Sequence, residues 1–365
     1  MLHADPFSYC AHPHLAVAGN GDWLAVFNRV PRRAMVLHPP QDPDYRNVLM
    51  RSSDEGRSWG APQVVPDYDW SGVECAGLTV LRSGRVLLNQ WRFEWLPLDR
   101  ALASGRSDIE LPERLMAGLR ASPELDVFTP DSDREEARRA FPWARGGGQA
   151  VVHISDDHGM SFRTTRTIAT MPFSGGYGMR GAVELADGTV VLPLSDVPNY
   201  CQLFVVRSTD AGETWSAPIL VAEGQGHEFE EPAPLLLPSG RILMLLRDNG
   251  TRLLHAVHSD DGGLSWSPPR ATGIAAYPAH LLRLPDGRLV AVTGRREPPF
   301  GILLHVSEDE GLNWQAPLVL VDDLPTKDLG YPTMAVRADG DLVVLYYARD
   351  AAGLTGIHSL TVRLP

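Results

Sequence analysis

The chain of 365 residues is poor in cysteine and contains no long apolar run. Its three cysteines, Cys10, Cys75 and Cys201, are odd in number and widely spaced, which argues against a disulfide framework and favours a reducing compartment. Turns interrupt every apolar stretch before it reaches the eighteen or so residues that a membrane helix needs. The first residues, MLHADPFSYCAHPH, lack the basic and apolar regions of a signal peptide. We therefore expect a cytoplasmic protein without a membrane partner.

Positive charge is scarce as well: 33 lysines and arginines face 45 aspartates and glutamates, and the net charge is −12. Such a balance disfavours a general binder of nucleic acid, although a local group of arginines can still hold an anion. Hydrophobic residues make up 44% of the chain and charged residues 21%. This composition allows a large buried core, and at this length one domain over residues 1–365 is sufficient.

An eight-residue pattern, Ser-x-Asp-x-Gly-x-Ser/Thr-Trp, occurs five times, beginning at Ser52, Ser155, Ser208, Ser259 and Ser307. In two copies one residue differs: Phe162 replaces the tryptophan and Asn313 replaces the hydroxyl residue. The aspartate and serine side chains can bond the backbone of a tight hairpin in which glycine supplies a positive dihedral angle. We therefore interpret this pattern, the Asp box, as a structural element. The last four copies begin 53, 51 and 48 residues apart, and a period near 50 indicates a repeat architecture.

A glycine turn between two apolar runs occurs six times, at Gly21, Gly84, Gly188, Gly240, Gly287 and Gly340. In three units this glycine precedes the Asp-box serine by 19 or 20 residues. Each unit thus reads as four strands, and six units predict an all-β, six-bladed propeller of four-stranded antiparallel blades. The sixth unit has no Asp box, so we expect residues before Cys10 to supply its fourth strand. A two-sheet sandwich is the alternative, but it does not explain the period.

The second unit carries a large insertion, roughly residues 95–148, which is charged and contains two helix-like stretches. The first begins at Pro112 and the second follows Asp131 and Ser132. We predict a helical insertion in blade 2. Whether it is a solvated excursion, a lid or a dimer contact stays open, as does the oligomeric state.

In an antiparallel blade, the glycine turns and the Asp boxes lie on one face of the propeller. The starts of the innermost strands and the ends of the second strands lie on the opposite face, near the axis. Counting from the glycine turns places a set of polar residues there: His12, Cys75, Arg180, Glu231, His280 and Tyr331 on the first strands, and Arg29, Trp91, Arg92, Asp196, Arg247, Asp248, Arg295 and Arg296 on the second. Arginines beside acids, histidines and tyrosine predict an anion site with proton-transfer groups.

Each of these residues also has a structural interpretation. Glu231 can serve only to pair with an arginine, and Tyr331 can pack in its turn. Arg247 ends an apolar strand and needs an anionic partner, which is a ligand or a glutamate. His12 and His14 lie two residues apart, but no third ligand has usable spacing, so we expect hydrogen bonding and predict neither a metal nor a cofactor.

With Asp boxes on a six-bladed propeller, the chain resembles the sialidase (neuraminidase) superfamily over nearly its whole length outside the insertion. The segment Glu231-x8-Gly240-x6-Arg247 resembles the one that carries the sialidase catalytic glutamate and a substrate-binding arginine, and Tyr331-x8-Gly340 resembles the one with the nucleophilic tyrosine. The resemblance implies that Tyr331 attacks the anomeric carbon, Glu231 takes the phenolic proton and Arg247 binds the sugar carboxylate. It also implies a general acid in the first blade, where Asp42 and Asp44 are available; we prefer Asp44.

The chain departs from the sialidase pattern at two arginines. Ala11-His12-Pro13 replaces the Arg-Ile-Pro that begins the first inner strand, and Phe300 and Gly301 stand where a third arginine is expected. The anion site is then rebuilt from other arginines, for which the candidates are Arg29, Arg92, Arg180, Arg295 and Arg296. We expect a glycoside hydrolase that releases a terminal acidic sugar, sialic acid or another sugar acid, from a glycan.

Two alternatives stay open. The first is a polysaccharide lyase for uronate-containing chains, in which Tyr331 or a histidine removes the proton next to the carboxylate. The second is a non-catalytic glycan-binding propeller, which predicts that Tyr331 and Glu231 lie too far apart to form a hydrogen bond.

Overall fold

The structure, a computed structural model, describes residues 1–32, 42–66, 72–115, 138–139, 141–197, 199–224 and 226–364. Their strands form six antiparallel sheets, and five of these sheets have four strands. Consecutive strands are neighbours within every sheet, so each sheet is one blade. The six-bladed, all-β propeller predicted from the repeat is confirmed.

The blades follow one another along the chain. Blade 1 contains β1 (Ser8–Val17), β2 (Trp23–Pro31), β3 (Arg46–Ser52) and β4 (Gln63–Val64), and blade 2 contains β5 (Gly77–Val80), β6 (Val86–Pro97), β7 (Trp143–Ser155) and β8 (Thr164–Ile168). Blade 3 contains β9 (Val183–Glu184), β10 (Val190–Ser195), β11 (Gln202–Ser208) and β12 (Ile219–Glu223), and blade 4 contains β13 (Phe229–Leu236), β14 (Ile242–Asp248), β15 (Leu253–Ser259) and β16 (Arg270–Ala271). Blade 5 contains β17 (Ala279–Arg283), β18 (Leu289–Arg295), β19 (Gly301–Ser307) and β20 (Leu318–Val321), and blade 6 contains β21 (Gly330–Val336), β22 (Leu342–Arg349) and β23 (Thr355–Val362).

The N-terminal residues complete blade 6. His3 forms an antiparallel bridge with Ile357 of β23. The amide of Leu2 donates to the carbonyl of Ile357 at 2.7 Å, and the amide of Ile357 donates to the carbonyl of His3 at 2.7 Å. This pairing covers the edge of β23, which closes the ring between the first and last blades.

The Asp boxes close the hairpins between the third and fourth strands. In the first box, Ser52 Oγ donates to Asp54 Oδ1 at 2.7 Å and accepts from the amide of Gly56 at 2.8 Å. Asp54 Oδ2 accepts from Ser58 Oγ at 2.6 Å. Hydrogen bonds from the Ser58 side chain and amide, and then from Ser52, lower the pKa of Asp54 to about 2. The same serine-to-aspartate bond recurs in the other four boxes.

The insertion contains fewer residues than the predicted range 95–148, because β6 and β7 stay paired as far as Pro97 and Trp143. It contains α1 (Leu98–Ser104) and one helical turn at residues 112–115. Most of the second helix-like stretch predicted after Asp131 lies outside the described residues. Glu110 bridges Arg145 of β7 through both backbone and side chain, which fixes the base of the insertion to blade 2. In the described part of the chain, no helix has the length and apolar character needed to cross a bilayer.

Candidate active site

Three blades begin their innermost strand with the same irregularity. The pairing of first and second strands shifts register between Ala11 and His14, between Glu230 and Ala233, and between Gly330 and Thr333. Inside each bulge stands a residue with a positive φ: His12 at 57°, Glu231 at 52° and Tyr331 at 44°. A proline follows each of the three, and because proline has no N–H, the bulge leaves no amide without a partner there. The bulges are the shared backbone feature of the three blades that supply these residues.

Tyr331 and Glu231 meet although they are 100 residues apart in the sequence. The Tyr331 hydroxyl donates a hydrogen bond to Glu231 Oε1, and Glu231 Oε2 accepts from Arg247 Nη1 at 3.0 Å. Both side chains are buried, with Tyr331 4% and Glu231 3% exposed. Burial, and then the charge of Glu231, raises the pKa of Tyr331 well above its ordinary value. The phenol therefore needs a base to react as a nucleophile, and a carboxylate is in direct contact with it.

Two arginines flank this pair. The Arg247 guanidinium lies over the ring of Tyr277 at 4.7 Å, and its Nε donates to Asn249 Oδ1 at 2.7 Å. The Arg296 guanidinium lies 5.2 Å from the centre of the Tyr331 ring, and its Nη2 donates to the carbonyl of Leu329 at 3.1 Å. Arg296 Nε is buried and has no hydrogen-bond partner among the described residues. A donor in this position favours an anionic ligand beside Tyr331.

His12 forms one wall of the site. Its ring packs edge-on against Tyr331, with centres 4.3 Å apart, and against Tyr347, with centres 5.0 Å apart. His12 Nδ1 lies 3.3 Å from Asn28 Oδ1. The histidine therefore contacts the tyrosine directly.

Arg180 lies on the propeller axis and bonds the backbone of three other blades. It donates to the carbonyls of Ala279 at 3.0 Å, Pro13 at 3.3 Å and Pro332 at 2.9 Å. Burial lowers its pKa to about 10, and the charge of Glu231 opposes this shift. These contacts favour a role in holding the inner strands together. A role in ligand binding stays a prediction for Arg180.

Two neutral histidines lie beside Arg180. His280 Nδ1 accepts from the amide of Met334 at 3.2 Å, and His14 Nδ1 accepts from the amide of Leu78 at 2.9 Å. Burial, and then the charge of Arg180, lowers the pKa of both rings well below the ordinary value. His280, predicted as a ligand contact, is thus engaged with the backbone of blade 6 through this nitrogen.

The other predicted residues make contacts elsewhere. Arg92 Nη2 donates to Gln149 Oε1 at 2.9 Å, and Arg295 Nη2 donates to Asp322 Oδ1 at 2.5 Å. Trp91 is 3% exposed and packs edge-on against Phe93. Arg29 lies near His3, and its charge, after burial, lowers the pKa of that histidine. The amide of Asp44 donates to Asp42 Oδ1 at 2.9 Å in the turn before β3. None of these contacts joins the residue to Tyr331 or Glu231, so their functional roles stay predictions.

Glu74, which directly precedes Cys75 at the start of blade 2, was not among the predicted site residues. Its carboxyl is 2% exposed and accepts from the Tyr200 hydroxyl at 2.8 Å. Burial raises the pKa of Glu74 to about 8, and the charges of Glu230 and Glu231 act in the same direction. The group is therefore mostly protonated at neutral pH and lies within electrostatic reach of Glu231.

A second cluster of polar residues lies in blade 4. His227, Asp248 and His255 place one nitrogen or oxygen atom each within 4.8 Å of one another. These are the residue types that bind transition-metal ions. Asp248 lies 21 residues after His227 and 7 residues before His255, which matches no metal-binding spacing, so no sequence pattern predicts this cluster.

Comparison with known proteins bears on the family. The family described as BNR repeat-like domain matches residues 140–344, which is 205 of the 365 residues. No curated protein sequence matches the chain.

Several solved structures share the fold. A protein of unknown function from Dyadobacter fermentans is 22% identical, with a TM-score of 0.81, and the match covers 100% of this chain and 97% of that one. The NanB sialidase from Streptococcus pneumoniae is 13% identical, with a TM-score of 0.68 and coverage of 100% and 70%. The intramolecular trans-sialidase from Ruminococcus gnavus, solved with oseltamivir carboxylate, is 15% identical, with a TM-score of 0.66 and coverage of 98% and 94%. The chain therefore belongs to the family of BNR repeat-like domains, and its six-bladed propeller has the same fold as these solved structures.

Proposed function

We propose that the protein is a glycoside hydrolase that releases a terminal acidic sugar from a glycan. The observation that carries the proposal is the hydrogen bond from the Tyr331 hydroxyl to Glu231, with Arg247 on the other carboxylate oxygen. The non-catalytic interpretation requires these two side chains to lie too far apart for such a bond. Sialidases among the structural neighbours support a glycosidase on this fold.

In the first step, Tyr331 Oη attacks the anomeric carbon while its proton passes to Glu231. The glycosidic bond breaks, and its oxygen takes a proton from a general acid as the remaining glycan leaves. Water then attacks the anomeric carbon of the glycosyl-tyrosine and gives a proton to the conjugate base of that acid. Tyr331 leaves as a phenol when Glu231 returns its proton. A neutral phenol suits this substrate because a carboxylate nucleophile would be repelled by an anionic sugar.

Arg247 and Arg296 are the groups that we assign to the substrate carboxylate. Both guanidinium groups lie against aromatic rings at the site, and Arg296 Nε is a buried donor without a partner among the described residues. Ala11 stands where the sialidase pattern has a further arginine, so the site holds less positive charge than that pattern implies. We therefore propose a sugar acid other than N-acetylneuraminate as the preferred substrate.

The general acid has two candidates. Asp44 follows from the resemblance, since it lies in the first blade between the second and third strands. Glu74 follows from the structure, because burial keeps it protonated at neutral pH with a pKa of about 8. A protonated carboxyl near a carboxylate base is the arrangement that acid–base catalysis at neutral pH requires.

A panel of acidic glycosides tests the proposal. Fluorogenic 4-methylumbelliferyl glycosides of sialic acid, of other 3-deoxy-ulosonic acids and of uronic acids are incubated with the full chain, with Tyr331→Phe and with Tyr9→Phe. We expect one class to be hydrolysed by the wild type and by Tyr9→Phe and not by Tyr331→Phe. Uronate-containing polysaccharides are assayed in parallel by ultraviolet absorbance, because a lyase creates a new double bond. Ultraviolet-absorbing product would replace the hydrolase with a lyase, and turnover that survives in Tyr331→Phe would remove Tyr331 from the mechanism.

A further inference from the structure

We propose that His227, Asp248 and His255 form a binding site for a divalent transition-metal ion, with Zn²⁺ as the best-suited ion. The site goes beyond the proposed function, because none of the three residues has a role in it. It lies close to the candidate active site in the chain, since Asp248 directly follows Arg247.

Strand register brings the three side chains to one face of blade 4. Asp248 pairs with Phe229 of β13, and His227 lies two residues before Phe229. His255 of β15 pairs with Leu246 of β14, which lies two residues before Asp248. Because side chains alternate between the faces of a sheet, residues two apart share a face. The histidines therefore approach Asp248 from the strands on both sides.

The distances suit one shared ion. His227 Nδ1 lies 2.7 Å from Asp248 Oδ2, and His255 Nδ1 lies 3.7 Å from the same oxygen. Tetrahedral zinc with bonds of about 2.0–2.2 Å separates its ligand atoms by roughly 3.3 Å. Shifts of about 0.5 Å would bring these two contacts to that separation, and the ligand atoms of the two histidines lie within 4.8 Å of each other. The His227 side chain is 36% exposed, which gives it room to move and gives an ion a path from solvent.

His255 Nδ1 is the feature that hydrogen bonding leaves unexplained. His255 is 4% exposed, and its Nδ1 has no hydrogen-bond partner among the described residues although it faces Asp248. A buried polar atom without a partner destabilises the folded protein, and a metal ion at this point would remove that cost. Asp248 is held in place for the ion, because its Oδ1 accepts from the amides of Glu228 at 2.9 Å and Gly250 at 3.0 Å.

Blade 3 shows that the fold does not require the histidines. There Asp196 Oδ1 accepts from the amide of Ser174 at 2.9 Å, as Asp248 Oδ1 does from Glu228. Phe173 precedes Ser174 as His227 precedes Glu228, so these two residues are equivalent. Phe204 and His255 are equivalent as well, because each pairs with the residue two positions before the aspartate of its blade. The two phenylalanines stack with ring centres 4.2 Å apart. The hydrogen bond from a backbone amide to the aspartate therefore explains why blade 4 has Asp248. It does not explain His227 and His255, because two phenylalanines at the same positions of blade 3 are sufficient for packing.

The same comparison supplies test variants that the scaffold accommodates. The full chain, stripped with a chelator, is titrated with Zn²⁺ by calorimetry and with Co²⁺ by visible absorbance, alongside His227→Phe, His255→Phe and His258→Phe. His258 is the matched control, because it also lies on β15, but its Nε2 lies 3.9 Å from Asp260 and its side chain is 42% exposed. We expect one Zn²⁺ per chain, weakened more than about tenfold in His227→Phe and His255→Phe and unchanged in His258→Phe. Zn²⁺ should also raise the melting temperature of the wild type and of His258→Phe, but not that of His227→Phe or His255→Phe.

Three outcomes would overturn the proposal. One is the absence of saturable Zn²⁺ binding. Another is Zn²⁺ binding of equal strength in the wild type and in the two folded variants of the proposed ligands. The third is equal binding of Mg²⁺ or Ca²⁺, which would indicate a carboxylate surface without the imidazole ligands. Since the readout is binding, these results are independent of whether the glycosidase assay succeeds.

Discussion

The contact between Tyr331 and Glu231 leads to a quantitative prediction for the variant Glu231→Gln. Glutamine keeps the size of the side chain and an oxygen that can accept the hydroxyl hydrogen bond, but it cannot take the phenolic proton. Burial holds the pKa of Tyr331 high. Even at the ordinary tyrosine pKa near 10, only about one molecule in a thousand carries the phenolate at pH 7. We therefore expect kcat/KM to fall by about 10³-fold at pH 7, which corresponds to about 4 kcal/mol of activation free energy.

The pH dependence of this variant is a more specific signature than the loss itself. Below the pKa of Tyr331, the phenolate fraction rises about tenfold per pH unit. The residual rate of Glu231→Gln should therefore rise about tenfold per unit between about pH 6 and pH 8, whereas the wild type should not show this slope. The assay uses a fluorogenic aryl glycoside of the accepted sugar acid, because an activated leaving group needs no general acid.

Two comparisons exclude simpler explanations. Tyr9→Phe also removes a hydroxyl bonded to a partly buried carboxylate, that of Asp328 at 3.0 Å, and it should keep nearly full activity. Because Tyr331 and Glu231 act in one step, the double variant Tyr331→Phe/Glu231→Gln should be no more than a few-fold slower than Tyr331→Phe. Retention of more than about a tenth of the activity by Glu231→Gln, a flat pH profile, or fully additive losses would refute this reasoning.

Three further predictions follow from the same structure. Glu74→Gln should slow hydrolysis of unactivated glycosides and remove the decline of kcat as pH rises through about 8, whereas an unchanged pH profile would favour Asp44 as the general acid. Because folding raises the pKa of Glu74, the wild type should also lose stability as the pH rises towards 8, and the variant should lose less. Arg296→Met should raise KM about tenfold or more with little change in kcat, and Arg295→Met, paired with exposed Asp322, should change neither; equal effects would contradict the assignment. Ser208→Ala, which removes the bond from the Gly212 amide at 2.8 Å, should lower the free energy of unfolding in urea by about 1–3 kcal/mol at unchanged kcat, and lost activity at full stability would contradict a structural Asp box.

The fold followed from the sequence because its signals are local and repeated. A hairpin of eight residues determines its own hydrogen bonds, and five copies, the last four at a near-constant period, specify the blades. The same register brought Tyr331, Glu231 and Arg247 to one face. The sequence therefore predicted that Tyr331 and Glu231, 100 residues apart, lie on the same face near the axis. The hydrogen bond between them was visible only in the structure.

Long-range burial explains what the sequence did not reveal. The pKa of Glu74 depends on its enclosure beside Tyr200 of another blade, and no pattern around Glu74 records that contact. Arg180 occupied the expected register position, but its bonds to carbonyls of three other blades depend on how the blades meet at the axis. The cluster of His227, Asp248 and His255 depends on pairing across three strands, which spacing along the chain does not express.

Backbone strain separates the two faces of the propeller. On the Asp-box face, the residue before the box glycine has a positive φ near 56–59° in four copies, and glycine itself, Gly262, takes this place in the fifth. The position before the box glycine therefore requires a positive φ but no particular side chain. On the opposite face, His12, Glu231 and Tyr331 hold φ values of 44–57° without any glycine substitute among them. A side chain in this region costs roughly 1–2 kcal/mol. His12 and Glu231 both contact Tyr331, so the three strained residues are best explained by what their side chains do there.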